Sequence, residues 1–294
     1  MQDGVATRRS IAPRARRAAG VGLRLPHLTE VATSAPPAAW FEVHPENFLA
    51  NPHAMELLHA IAGRYAISVH TVGVSIGSAG GIDRVHLARL RQFVLDLDPI
   101  LVSGHLAWST HEDAYLNDLL PLPYDDETLR LVATQLHLVQ DAIGRPYLVE
   151  NPSSYVGVGT STMTEVEFLA ELARRTDCLL LCDVSNVFLS GHNMGYDPYR
   201  YIDRFPAAAV GELHLGGFVR EADEGAPGDE ILIDSHSTVI AEPVWQLYAH
   251  AVRRFGPAPT LIEWDNDIPP LSTLLAEATR ADTVSARALM GQAV

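Results

Sequence analysis

Eight short apolar, β-favouring runs recur along the chain: GVGLRL (20–25), WFEVH (40–44), AISVH (66–70), ILVSGH (100–105), PYLVEN (146–151), CLLLCDV (178–184), AVGELHL (209–215) and APTLIEW (258–264). Longer segments lie between them: PHAMELLHAIAGR, DRVHLARLRQFVLDL, DDETLRLVATQLHLVQDAIG, TEVEFLAELARRT and EPVWQLYAHAVRRFG. Their apolar residues fall at three- and four-residue spacing, which marks one buried face of a helix. Several open with helix-start chemistry, as at Asp125, Asp126 and Glu127 or at Thr164, Glu165 and Glu167. Gly63, Gly144 and Gly256 fall where helices should stop. Strands that alternate with helices pair in parallel, and eight such units close a (β/α)8 barrel. The pattern therefore predicts an α/β fold, a single-domain (β/α)8 TIM barrel over residues 19–294. A doubly wound open sheet is the alternative; the lack of a Gly-rich dinucleotide loop after the first strand argues against it.

Composition adds limits. At 294 residues and 47% hydrophobic content the chain can bury one large core. Residues 1–18, with RRSIAPRARRAAG, are arginine-rich and lack the apolar segment of a secretory signal, so a flexible tail is expected. No apolar run approaches the roughly 20 residues that span a bilayer, so no membrane partner is expected. The formal net charge is −15 and every basic residue is an arginine. An acidic body repels a phosphate backbone, which makes general nucleic-acid binding an unexpected role. Cys178 and Cys182 lie in one predicted strand, with Cα atoms about 13 Å apart at roughly 3.3 Å per residue. That is too far for a disulfide, and the pair reads as core residues of a cytoplasmic protein.

In such a barrel, chemistry gathers at the C-terminal ends of the strands. Those ends carry His44 with Glu46 and Asn47, then His70, His105, Glu150 with Asn151, Asp183 with Asn186, His214, and Glu263 with Asp265; His192 follows Asn186 closely. A lone histidine or asparagine at a strand end is usually structural or a cap. Seven strand ends of this kind on one rim are different. Glu150, Asp183 and Glu263 would repel one another unless cations or protons neutralised them. His27, His53, His59, His86, His111, His137 and His250 fall in helices or loops and are expected to be structural. Imidazoles and carboxylates without a placed thiolate suit iron, manganese or zinc. There are too many for one ion, so two or three ions sharing a bridging carboxylate are expected. A further pair, Asp234 and His236, sits in the long loop from Gly216 to about Ile240. Two apart in an extended segment, they face the same way and can reach one ion.

The strings FEVHPENF, SVHTVGVSIGS, SGHLAWS, LNDLLPLPY, LVENPSSY, CDVSNVFLSGHN, ELHLGGF, LIDSHS and LIEWDNDIPPL occur in order over about residues 20–280. Together they resemble the multinuclear non-heme iron-dependent oxidative enzymes, the family of the methanobactin-biosynthesis oxidase. The chain is most similar to the branch found with copper-binding, bufferin-like peptides. The resemblance implies a barrel with two or three irons, dioxygen as co-substrate, and cysteines of a ribosomal precursor peptide as target. It also implies a partner protein that binds the peptide leader. By the same resemblance, His70, His105 and Glu150 hold one iron, and Glu150 bridges to a second held by Asp183, His214 and Glu263. These six residues are the expected catalytic set. Asn186, Asp234 and His236 match the third site, while His44, Glu46, Asn47, Asn151, His192 and Asp265 fall near the irons. The chain departs from many relatives in three places. Gly104 stands where they have an acid, Ser185-Asn186 stands where some have two asparagines, and Phe218 stands where some have a histidine. The residues alone leave two alternatives, a divalent-metal barrel isomerase or phosphoesterase and a non-catalytic, metal-loaded peptide-binding subunit.

Overall fold

The structure, a computed structural model, describes residues 18–111, 114–222 and 230–291; the expected tail lies outside them except for Ala18. All eight apolar runs form barrel strands: β1 (Gly20–Gly22), β2 (Trp40–Val43), β3 (Ala66–Thr71), β4 (Val102–His105), β7 (Leu148–Glu150), β8 (Leu179–Asp183), β9 (Val210–Gly216) and β12 (Thr260–Glu263). They pair in parallel and close the ring in that order, β12 returning to β1. Two antiparallel hairpins interrupt the alternation. One joins β5 (Trp108–His111) to β6 (Ala114–Leu120), and the other joins β10 (Val219–Ala222) to β11 (Glu230–Ile233). The second occupies the stretch that the sequence presents as a long loop.

The five predicted helices are present as α2 (Pro52–Ala62), α3 (Arg84–Leu97), α4 (Asp126–Ile143), α5 (Glu165–Thr176) and α8 (Glu242–Phe255). Four of their starts are capped by side chains: Asn51, Asp83, Asp125, and Thr164 in a reciprocal capping box with Glu167. Among the described residues, four further helices, α1 (Leu28–Ser34), α6 (Val184–Met194), α7 (Pro198–Arg204) and α9 (Leu271–Met290), lie outside the helical segments marked in the sequence. The inner face of α9 is built from Leu271, Leu274, Ala278, Ala281 and Ala288, mostly small side chains that a search for large apolar residues underweights. Helix α6 begins directly on Asp183, whose carboxylate accepts the Asn186 N–H at 2.7 Å, so no loop separates strand from helix.

The barrel interior is graded along its axis. Side chains alternate inward and outward along each strand, so residues two apart stack in tiers. The lowest tier is apolar: Trp40 with Leu261, and Leu101 with Leu148 and Leu181, form clusters separate from the large core between barrel and helices. A Cβ at Gly20 would lie 2.3 Å from the Trp40 ring, so the indole lies over the neighbouring strand β1 only because Gly20 has no side chain. One step higher the tier turns polar, with Glu42, Ser68, Ser103 and Glu212, all fully buried. The next residues upward are the predicted ligands.

Candidate metal centre

At the C-terminal mouth the predicted residues converge. Among the described residues, five sets of three side chains each bring ligand atoms within 4.8 Å of one another: His70, His105, Glu150; Glu150, Asp183, His214; Asp183, His236, Glu263; His44, Glu263, Asp265; and Glu42, His70, His214. The sets overlap, and Glu150, Asp183, His70, His214 and Glu263 each belong to two. His70 Nε2 lies 3.2 Å from His105 Nε2 and 3.3 Å from Glu150 Oε2. His105 Nε2 lies 3.5 Å from the same Glu150 oxygen. His236 Nε2 and Asp234 Oδ1 approach to 2.8 Å without forming a hydrogen bond.

Fully buried polar atoms normally have partners. Among the described residues Glu150 Oε2, Asp183 Oδ2, Asn186 Oδ1, Asp234 Oδ1 and His236 Nε2 are buried and have no hydrogen-bond partner. Every one is an oxygen or nitrogen that can donate a lone pair to a hard or borderline cation. The donor set therefore fits metal binding. Electrostatics agree. Burial, reinforced by Asp183 and Glu263 against the pull of His214, raises the Glu150 carboxyl well above the usual carboxylate range. Burial and Asp234 push Asp183 up to about 6. Burial lowers both His70 and His105, the latter to about 4, so each ring keeps a free lone pair at neutral pH. Burial also opposes charge on His214 and His236, but the surrounding carboxylates win and raise both well above the ordinary value. The mouth needs positive charge.

Neighbouring groups fix these side chains. Ser103 Oγ meets His70 Nδ1 at 2.8 Å, leaving Nε2 to face His105 and Glu150. Asn151 grips the Asp183 backbone twice, accepting its N–H at 2.9 Å and donating to its carbonyl at 3.1 Å. Asn186 spends its amide N–H on Glu150 Oε1 and Asn151 O, both at 3.2 Å, which leaves its oxygen free. Asp265 joins His44 and Glu263 and also meets His236 Nδ1 at 3.1 Å. The segment carrying Asp234 and His236 lies flat on the rim, because a Cβ at Gly216 would fall 2.3 Å from the His236 ring and one at Gly217 1.9 Å from Thr238 O. His236 N–H donates to Gly217 O at 2.9 Å, and its carbonyl accepts from Asp265 and Asn266.

Three expected neighbours stand aside. Glu46 accepts from Gly73 N–H and faces His86, Asn47 is exposed, and exposed His192 meets Glu230 O at 3.0 Å. The departures from the family pattern are accounted for locally. Gly104 abuts Tyr147, Ser185 staples both backbone groups of Gly216, and Phe218 packs on Phe188. Sequence reading missed Arg24, Glu42 and Glu212. Buried Arg24 donates to Asp265 at 2.6 Å and to Glu263 at 3.2 Å, holding both carboxylates in place. Glu42 and Glu212 lie 3.5 and 3.7 Å from His214 Nε2. Their signal was available, since each precedes a strand-end histidine by two residues and so shares its inward face.

Comparison with known proteins agrees with this geometry. A UPF0276 protein of Vibrio vulnificus strain CMCP6 is 46% identical over 273 residues, covering 92% of both chains. One from Caulobacter vibrioides is 44% identical over 269 residues, covering 91% of this chain and 95% of the relative. Among solved structures, a xylose isomerase-like TIM barrel protein of Mycobacterium smegmatis in complex with magnesium superposes with a TM-score of 0.60 at 11% identity. It covers 95% of this chain and 99% of its own. A D-tagatose 3-epimerase-like protein gives 0.56 at 14% identity, covering 93% and 97%. At such identities these two speak for the barrel alone. The family model described as RiPP precursor modification enzyme MbnB/TglH/ChrH matches residues 18–286. The chain belongs to that family, and is accordingly a metal-dependent oxidative enzyme that modifies cysteines of ribosomally made precursor peptides.

Proposed function

We propose that the metal is iron, two or three ions per chain, and that dioxygen is the oxidant. The observation that carries this reading is the run of overlapping ligand sets joined through Glu150 and Asp183, with unpartnered donor atoms turned toward one another. In it His70, His105 and Glu150 hold one ion. Glu150, Asp183, His214 and Glu263 hold the second, and Asn186, Asp234 and His236 hold the third. Iron bound there supplies oxygen activation and an open position for a cysteine thiolate.

The chain's own residues do the positioning. Ser103 sets the His70 tautomer, Asn151 sets the Asp183 backbone, and Arg24 fixes Glu263 and Asp265. Glu42 and Glu212 lie within 3.5 and 3.7 Å of His214 Nε2 and favour positive charge on that ring. The substrate is a cysteine-bearing precursor, of the copper-binding bufferin-like kind, delivered by a leader-binding partner protein in the cytoplasm. No helix among the described residues is long and apolar enough to cross a membrane.

The test is anaerobic loading with ferrous ion, then iron counting, oxygen uptake and intact-mass analysis of the cysteine-containing peptide encoded beside this chain. Two or three irons, oxygen consumption and a mass change are expected. Replacing the peptide's cysteines with serine should stop both uptake and mass change. Turnover without oxygen would instead mark a divalent-metal isomerase or phosphoesterase.

A further inference from the structure

The β10–β11 hairpin leaves the barrel beside His214 and returns one residue before Asp234, so it stands at the edge of the mouth. Its two outer edges differ. Asn193, on α6, places its side-chain amide against Leu232, accepting the backbone N–H and donating to the carbonyl, both at 2.9 Å. His192 meets the carbonyl of Glu230. These side chains occupy the β11 edge as a neighbouring strand would.

The same bonds fix the direction of the groups on β10. In an antiparallel pair, facing residues point both backbone groups toward each other or both away. Leu232 faces Arg220 and Glu230 faces Ala222. Leu232 turns its N–H and carbonyl to Asn193, away from β10, so Arg220 turns its own away from β11, and Ala222 follows two residues on. Arg220, Glu221 and Ala222 are exposed, and among the described residues nothing bonds to the outward backbone groups of Arg220 and Ala222. Among the described residues, one edge is closed by dedicated side chains while the other is left open four residues from the rim.

We propose that this open β10 edge takes an extended stretch of the precursor peptide as a third strand, antiparallel to β10; this rests on the peptide-modifying reading above. Strand addition supplies main-chain hydrogen bonds without demanding a particular side-chain sequence. Because β10 runs away from Gly216, an antiparallel guest runs toward it and presents its C-terminal end to the mouth. Four residues at about 3.3 Å each separate Arg220 from Gly216, roughly 13 Å. The docked stretch therefore precedes the modified cysteine by about four to six residues.

Two substitutions test the edge. Arg220→Pro and Ala222→Pro each remove an outward N–H that the hairpin itself does not use, a placement that edge strands tolerate. With the cysteine-containing peptide encoded beside this chain, each should raise KM about 5- to 10-fold, while kcat and iron per chain stay unchanged. An effect confined to Arg220→Pro and matched by Arg220→Ala would assign it to charge and overturn the proposal. Hydrogen exchange on the iron-loaded protein kept free of oxygen gives an independent readout. The amides of Arg220 and Ala222 should slow when the peptide is added. Protection there with no change in peptide mass under oxygen would uphold docking while sinking the oxidase reading. Normal oxidation without that protection would sink docking alone.

Discussion

At the lower end of the barrel, Trp40, Leu101, Leu148, Leu181 and Leu261 fill the interior with apolar side chains. One or two steps along the same strands, Glu42, Ser103, Glu150, Asp183 and Glu263 fill it with polar and ionisable ones. Burial is the same in both tiers, yet its sign differs. Removing the leucines from water favours folding, whereas gathering unpaired carboxylates in a dry space opposes it. The lower tier holds the barrel shut, and the upper tier is tolerated because the lower one stabilises the fold. Ions that bind only the folded mouth should then raise stability by mass action.

The sharpest break in that comparison comes from Glu150→Ala. Turnover should vanish and bound iron should fall by more than one per chain, with the iron-free protein melting no lower than wild type. Metal content near wild type would dissolve the bridging assignment, and a collapsed melting temperature would dissolve the contrast between tiers. Leu181→Ala should do the reverse. It opens a cavity in the fully buried plug and should cost about 2–5 kcal/mol in denaturant unfolding, while iron per folded chain holds steady. His236→Ala should remove at most one ion, lower activity and leave the fold intact, read from metal-to-protein ratio and thermal melting. Loss of all metal would mean that the third ligand pair belongs to the barrel site.

The smallest effect concerns a half-buried carboxylate away from the mouth. Glu165 accepts from Tyr124 at 2.8 Å and from Tyr201, yet burial outweighs these donors and raises its carboxyl above the ordinary 4.5. The folded state thus keeps a proton that the unfolded chain releases. Its stabilising contribution is full below 4.5 and is lost as pH rises through the raised value. Urea unfolding across pH 4–8 should show wild type losing stability relative to Glu165→Gln as pH rises. A constant difference between the two would remove Glu165 from the account.

How far the sequence alone carried this picture follows from two periods. The strand period made Leu148, Glu150 and their counterparts visible, since eight β-favouring runs ending in ligand-type residues leave few other arrangements. The helix period found α4 and α8, whose inner faces carry Leu129, Val132, Leu136 and Val244, Leu247, Tyr248. It missed α9, whose inner face is largely alanine, and α6, which starts on a ligand. Both hairpins were hidden because three of their four strands, WSTH, AYLNDLL and VREA, mix polar or charged residues into the run, unlike the apolar barrel strands. Arg24 was invisible for another reason: its partners Glu263 and Asp265 are some 240 residues away, and only closure of the barrel brings them together.

Gly104 has a consequence for variation among relatives. A Cβ there would lie 2.0 Å from the Tyr147 hydroxyl and 2.6 Å from the Thr71 carbonyl, and Tyr147 is itself bonded to the Thr71 side chain. Positions 71, 104 and 147 are thus expected to vary together. A lineage that carries an acid at the position of Gly104 must shorten the side chain at the position of Tyr147 and let the third strand shift. A side chain at position 104 clashes while Tyr147 remains, so the change at 147 is expected to come first. An alignment should show residue 147 changing in step with residue 104, with tyrosine beside an acid rare or missing.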